Sequence, residues 1–315
     1  MLTTIGSFDG FHKGHAELLE ICRANSNDWG VISFYPHPSE YMNRLKHSLF
    51  TLRERELARL VLGIPNMYVL EFSERLKNLE PKEFWRLIRE RFGVDGLVMG
   101  SDFHFGRNRS GNAEYLAELA RSEGITRIFI AELKDKAKYS SSQARKKIIA
   151  GDIEGAADTL GYNWFMMSRI IHGLQRGRTM HYPTANIDTS GHIIPAYGVY
   201  SSAVLVNGEW HCGALSVGNN PTFHDVNDTR TEIYILDFDG DIYGDELIVS
   251  FLGRVREIRT FGSKEELIRQ IGQDIISCRK IYDEVMSREE AKRFLVRSRE
   301  IYNSEKINPE IIKLL

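Results

Sequence analysis

The chain has 315 residues, 42% of them hydrophobic, and a formal net charge of −2. That length suits two domains with real cores, and the near-neutral charge leaves no basic footprint for nucleic acid. The three cysteines, Cys22, Cys212 and Cys278, are scattered and odd in number, so they read as buried thiols of a reducing compartment rather than a disulfide frame or metal site. No basic stretch followed by an apolar core marks a signal peptide, and no apolar run is long enough to span a bilayer. The expectation is a soluble cytoplasmic protein without a membrane partner.

The first half alternates strand and helix. Leu2–Ser7 reads as a strand, followed by strand-like runs at Trp29–Phe34, Met67–Phe72, Gly96–Gly100 and Arg127–Glu132. Helical patterns lie between them at His15–Ala24, Leu52–Leu62, Pro81–Phe92 and Asn112–Ser122. Pro81 suits a helix start and Gly93 a helix stop. This rhythm predicts a doubly wound parallel sheet with helices on both faces, with ligands at the carboxyl ends of its strands.

The segment GSFDGFHKGH, Gly6 to His15, sits at such an end. Gly6, Gly10 and Gly14 allow a sharp turn and close approach. A helix start offers free N–H groups and a positive dipole end. His12 and His15 add imidazole donors, which makes this a candidate phosphate site that lacks the Walker pattern. Three further clusters are candidates. GSDFHFGRNRSGN carries Asp102, Arg107 and Arg109, as a nucleotide loop or a solvated one. YSSSQARKK sets Ser141, Ser142 and Arg145 at a helix start, as a triphosphate grip or a simple cap. His37, between two prolines, either lies over a ligand or only shapes a turn.

After Gly161 strands follow one another: Phe165–His172, Val199–Val206, Glu209–Val217, Thr231–Phe238 and Glu246–Phe251. Asn207-Gly208 and Asp239-Gly240 are hairpin signals. A small antiparallel barrel or sandwich is expected. A helix from Ser263 to about Met286 closes it, with Glu266 placed for a capping box. Ser287–Leu315 reads as a helical extension or tail. Within GRTMHYPTANID, Thr184 and Asn186 alternate along an extended chain and so point the same way. Both offer hard oxygens of the kind magnesium takes together with nucleotide phosphates; an Asx-type turn after Pro183 is the plainer reading. Glu232 lies inside an apolar strand, either on an exposed alternate face or as a general base.

Taken in order, GSFDGFHKGH, FYPHP, GSDFHFG, SSSQAR, GDIEGAADTLG, HGLQRGRTMHYPTANI, GVYSSAV, NNPTF and EIYILDFDGDIYG resemble the bacterial bifunctional riboflavin kinase/FAD synthetase family, from Ile5 to about Asp274. The resemblance implies a nucleotidylyltransferase-type α/β domain over 1–160, a riboflavin kinase barrel over 161–288 and a C-terminal extension over 289–315. It implies ATP-dependent phosphorylation of riboflavin to FMN, then adenylylation of FMN to FAD with release of pyrophosphate. Riboflavin, FMN, FAD and ATP are the implied ligands and Mg²⁺ the implied cofactor.

By the same resemblance His12, His15 and Arg145 act on phosphate, and Glu232 is the general base of the kinase. Gly6, Phe8, Asp9, Gly14, His37, Asp102, Arg107, Ser141 and Ser142 are expected to bind ATP or flavin in the first half. Gly173, Gly177, Arg178, Thr184 and Asn186 are expected to do so in the second, with Thr184 and Asn186 on the metal. His181 and Tyr182 stand where the family usually has Gly and Phe. Alternative readings are an enzyme with only the adenylyltransferase half active, or a non-catalytic flavin- or nucleotide-binding regulator.

Overall fold

The computed structural model describes residues 1–132, 138–172, 182–219, 229–304, 307–309 and 311–312. The chain begins with β1 (Leu2–Ile5) and α1 (Lys13–Asn25). β2 (Trp29–Tyr35), α2 (Pro38–Tyr41), α3 (Leu52–Val61) and β3 (Asn66–Glu71) follow. Next come α4 (Glu74–Lys77), α5 (Pro81–Phe92) and β4 (Gly96–Gly100). The hairpin of β5 (His104–Phe105) and β6 (Gly111–Asn112) leads to α6 (Ala113–Ser122) and β7 (Arg127–Ala131). α7 (Ser141–Ala150) and α8 (Ile153–Leu160) precede the second run of strands. These are β8 (Phe165–Ile171), β9 (Ala185–Ile187), β10 (Gly198–Val206), β11 (Glu209–Asn219), β12 (Thr229–Ile235) and β13 (Glu246–Glu257). α9 (Lys264–Ser287), α10 (Glu289–Asn303) and β14 (Ile311–Ile312) end the chain.

Two compact units form, Met1–Ser141 with Ile307–Leu315, and Ser142–Lys306. The sequence reading draws its line at 160/161. The compact boundary lies earlier because α7 and α8 pack with the barrel: a Cβ at Gly151, between them, would meet the Tyr200 hydroxyl at 3.0 Å.

In the first unit the strand order is β14-β3-β2-β1-β4-β7, every pair parallel. The chain leaves β1 toward β2 on one side and reaches β4 on the other, so β1/β4 is the topological switch point. Alternate side chains split between the two faces. Ile5, Ile32, Leu97 and Met99 join a core with Phe84, Trp85 and Ile88 of α5 and Leu116 and Ala120 of α6. The helices start and stop by local chemistry. Thr51 and Glu54 form a capping box at α3, and Pro81 opens α5, which ends at Gly93 in the left-handed region (φ 59°).

The second unit holds a closed antiparallel barrel in the order β10-β11-β12-β9-β8-β13, which removes sheet edges. Asn207 and Gly208 turn β10 into β11 with φ of 49° and 77°, as a two-residue type I′ hairpin requires. Asp239-Gly240 is not such a turn. β12 pairs with β11 and β9 rather than with β13, so the chain there crosses to another part of the barrel, with Asp237 (φ 56°) and Gly244 (φ 85°) taking the left-handed positions. At α9 the Ser263 hydroxyl accepts the Glu266 N–H at 3.2 Å, while the Glu266 carboxylate accepts from Gly262, one residue before the cap, at 3.0 Å. The stretch after 288 is ordered as α10, which seats Phe294 flat on Tyr162 at 4.4 Å between ring centroids and accepts the Trp210 indole N–H at Leu295 O, 2.9 Å away.

Candidate functional site

The strand-to-helix turn after β1 is tightly built. Phe8 and Phe11 hold left-handed φ values of 44° and 37° on either side of Gly10 at 91°. His12 caps α1 without a side-chain capping bond. Its ring lies 3.7 Å from that of His15, nearly parallel, and Phe8 covers His15 at 4.9 Å. Two imidazoles thus stand together at a helix start, at the carboxyl end of the first strand. Of the three glycines, Gly10 supplies the positive φ. Gly14 is needed for close packing within the protein: a Cβ there would lie 2.4 Å from the Tyr139 carbonyl oxygen. Gly6 meets only the Phe8 ring, at an ordinary 3.4 Å.

Asp9 is fully buried, and its carboxylate accepts the N–H groups of Leu49 (2.9 and 3.0 Å) and Phe50 (3.3 Å). It therefore fixes the turn from behind. The Asp9 carbonyl accepts the Ser141 hydroxyl at 2.7 Å, so the serine motif begins by tying down the same turn. His37 accepts the Ser39 N–H through Nδ1 at 3.1 Å, capping α2. The loop after β4 folds as the β5/β6 hairpin. Asp102 is exposed and its carbonyl meets His104 Nδ1 at 2.7 Å. Arg107 faces Glu80 at 3.5 Å, both more than half exposed. These loops follow β1, β2 and β4, which are neighbours in the sheet, so they emerge along one edge. Ser142 and Arg145 fall on α7, in the second unit; Ser142 is exposed and Arg145 half-buried.

One residue of this region escaped the sequence reading. Arg55 on α3 is fully buried. Burial pulls its pKa down, against the opposing charges of Asp9 and Glu40. Its spacing gave a signal: Arg55 lies three residues after Leu52 and three before Ala58, on the apolar stripe of the helix.

In the second unit β9 pairs antiparallel with β12, Asn186 opposite Glu232. Directly opposite residues share a face, and so do residues two apart in a strand. Thr184, Asn186 and Glu232 therefore stand together, with the Thr184 hydroxyl 3.4 Å from a Glu232 carboxylate oxygen. The extended reading holds, and Asn186 is in a strand rather than an Asx-type turn. Beside Thr184 opens a cavity of about 420 Å³, lined also by Ala185, Ile233, Phe238, Asp239 and Tyr243 but not by Asn186 or Glu232. That volume suits a small ligand. Gly173, Gly177, Arg178 and His181 lie outside the described residues. Tyr182 offers its ring to Tyr234 edge-on at 5.5 Å.

The donor set suits a hard cation. A hydroxyl, an amide oxygen and a carboxylate are the ligands magnesium prefers. Among the described residues no group of three or more His, Cys, Asp or Glu gathers to hold a metal. Among the described residues no helix is long and apolar enough to cross a membrane.

Comparison with known proteins joins the two sites. A family model described as FAD synthetase matches residues 1–144, and one described as riboflavin kinase matches residues 160–282. A bifunctional riboflavin kinase/FMN adenylyltransferase of Listeria monocytogenes is 33% identical over 278 residues, 86% of this chain and 88% of that protein. The Bacillus subtilis protein of the same name is 33% identical over 281 residues, covering 86% and 89%. A crystal structure from Streptococcus pneumoniae, titled a macrolide-efflux protein, superposes with a TM-score of 0.79 at 30% identity, over 88% of this chain and 93% of that one. With both models matched in order, and relatives at this identity aligned over most of their length, the chain belongs to the bifunctional riboflavin kinase/FMN adenylyltransferase family.

Proposed function

We propose that this chain makes FAD from riboflavin in two ATP-dependent steps, one in each half. One observation carries the reading: each half holds its own set of groups suited to phosphate chemistry, the stacked His12–His15 pair at the end of β1 and the Thr184–Asn186–Glu232 face at β9 and β12, which suits a metal-bound nucleotide and a hydroxyl nucleophile.

In the kinase step the terminal ribityl hydroxyl attacks the γ-phosphorus of ATP and ADP leaves. Glu232 takes the hydroxyl proton as that bond forms. Thr184 and Asn186 orient the phosphates from the same face. Mg²⁺, when bound, neutralises phosphate charge there. In the adenylyl step the FMN phosphate attacks the α-phosphorus in line and pyrophosphate leaves. An ionised phosphate needs no base, so this half works by positioning and charge stabilisation. His12 and His15 donate to the phosphates, Arg145 is a further donor, and Asp102 and Arg107 serve the second substrate. Asp9, Gly14 and Ser141 hold the turn, and His37 its neighbour, rather than touching ligand. Gly173, Gly177 and Arg178 are proposed for the kinase nucleotide loop.

Incubation with riboflavin and excess Mg-ATP, followed by separation of the flavins, tests this. FMN and FAD together are expected. FAD formed only from added FMN would mean a single working half, and no product would mean a binding protein.

A further inference from the structure

The turn that carries His12 and His15 holds three positive-φ positions within four residues, Phe8, Gly10 and Phe11. For phenylalanine that region is costly, and such a turn persists only where its surroundings fix it. The fixings are on the page. The Ser7 carbonyl accepts the Ser33 hydroxyl at 2.9 Å, and the Asp9 carboxylate accepts the Leu49 and Phe50 N–H groups. Behind both stands Arg55.

Arg55 Nη1 donates to Ser33 Oγ at 3.0 Å and to the Phe34 carbonyl at 2.9 Å. Its charge faces the carboxylates of Asp9 and Glu40. Nε and Nη2 are buried and have no hydrogen-bond partner among the described residues. A guanidinium stays charged, and burying it with donors unmet is far costlier than burying an apolar side chain of like size. Packing alone would favour such an apolar residue. What Arg55 offers instead is a fixed fork and a buried positive charge against the back of the phosphate turn.

Resting on the adenylyltransferase reading above, we propose that Arg55 is a positioning residue of that site: acting through Ser33 and Asp9, it sets the Ser7–Asp9 backbone and so the placement of His12 and His15. It touches no substrate. The role is one of geometry, since small misplacements of a catalytic pair carry large rate costs.

The test compares Ser33→Ala, Arg55→Met and Arg55→Lys in the full chain. FAD formation from FMN and ATP is followed for kcat and KM, FMN formation from riboflavin is the internal control, and circular dichroism reports folding. In Ser33→Ala and Arg55→Met, kcat for FAD is expected to fall about tenfold while KM for ATP moves less than about threefold. Arg55→Lys recovers part of the loss, and the kinase activity is unchanged in all three. A residue that only packs would lower the melting temperature and leave kcat alone. Should Arg55→Met not fold, Ser33→Ala decides: folded protein with the parental kcat overturns the proposal. His15→Ala in the same assay separates the two readings. If His15→Ala retains the parental rate, the site assignment itself fails; if it loses activity while Ser33→Ala does not, only the role of Arg55 is lost.

Discussion

His15 stands at the start of α1 with its ring against His12 and Phe8, so on the proposed reading His15→Ala removes a preorganised donor. Loss of one such donor costs on the order of a hundredfold in rate. FAD formation should fall by that much and FMN formation should hold; both falling together in a folded protein would mean the activities share a site. Glu232 and Asn186 make a second pair of tests. Glu232→Gln keeps the shape of the side chain but removes the base proposed for the kinase, so kinase kcat should drop at least about tenfold with nucleotide binding preserved. Asn186→Ala should instead raise the ATP and Mg²⁺ concentrations needed for half-maximal rate; an unchanged magnesium dependence would remove Asn186 from the metal shell. The sequence showed that Thr184 and Asn186 alternate, because period two is local. It left Glu232 unconnected, because the Asn186–Glu232 register depends on a strand pairing across 46 positions of chain. Gly14 was legible as a required glycine but for another reason, since the atom that leaves no room for a Cβ is the Tyr139 carbonyl oxygen, 125 positions away.

Elements defined by their own termini were the easiest to read. Pro81 and Gly93 bracket α5 at the expected residues, and Ser263 caps α9. The two Gly hairpin signals separate the readable from the unreadable. Asn207-Gly208 joins strands that pair with each other, whereas Asp239-Gly240 joins strands that do not, and a dipeptide carries no information about which neighbour a strand will choose. β9, only three residues long, was legible as an extended stretch, but nothing local said which strands it would join. The capping box of α3 is a test at this scale. Thr51 accepts the Glu54 N–H, and Glu54 returns the bond to the Thr51 N–H at 2.6 Å. Thr51→Ala should destabilise the first unit by about 0.5–2 kcal/mol. α3 also carries Arg55, so the same variant is expected to lower FAD formation at temperatures where the helix end frays, with kinase activity steady. Equal loss of both activities in thermal-inactivation curves would show that the cap does not act locally.

At the scale of the whole chain, the alternation of grammar before and after Gly161 gave the parallel sheet and the antiparallel barrel, but not where their compact units divide. The last strand is the clearest case. Ile311 and Ile312 pair with Val69 and Leu70 in the sheet of the first unit, and a two-residue apolar step in a charged tail holds no periodicity to reveal it. The cysteines were legible from their scatter alone, and they give a test that spans the molecule. All three are buried and free. Cys22 lies in the first unit, on α1, while Cys212 and Cys278 lie together in a small apolar core between the barrel and α9. Burial raises each thiol above its ordinary value, Cys22 and Cys212 up to about 12 and Cys278 in the same direction. A raised thiol pKa means less thiolate at any working pH, and the thiolate is the reactive form. At pH 8 the folded protein should therefore label with a maleimide at least about a thousandfold more slowly than the unfolded chain, since reaction has to wait for opening. Raising the pH to 9 should speed the unfolded chain's reaction yet leave the folded protein protected. Peptide mapping assigns each label to its cysteine, so the two units are read separately in one sample. Fast labelling of Cys22 with an intact circular dichroism spectrum would show that the helix behind the histidine turn is not packed as described, and the positioning argument for that turn would fall with it.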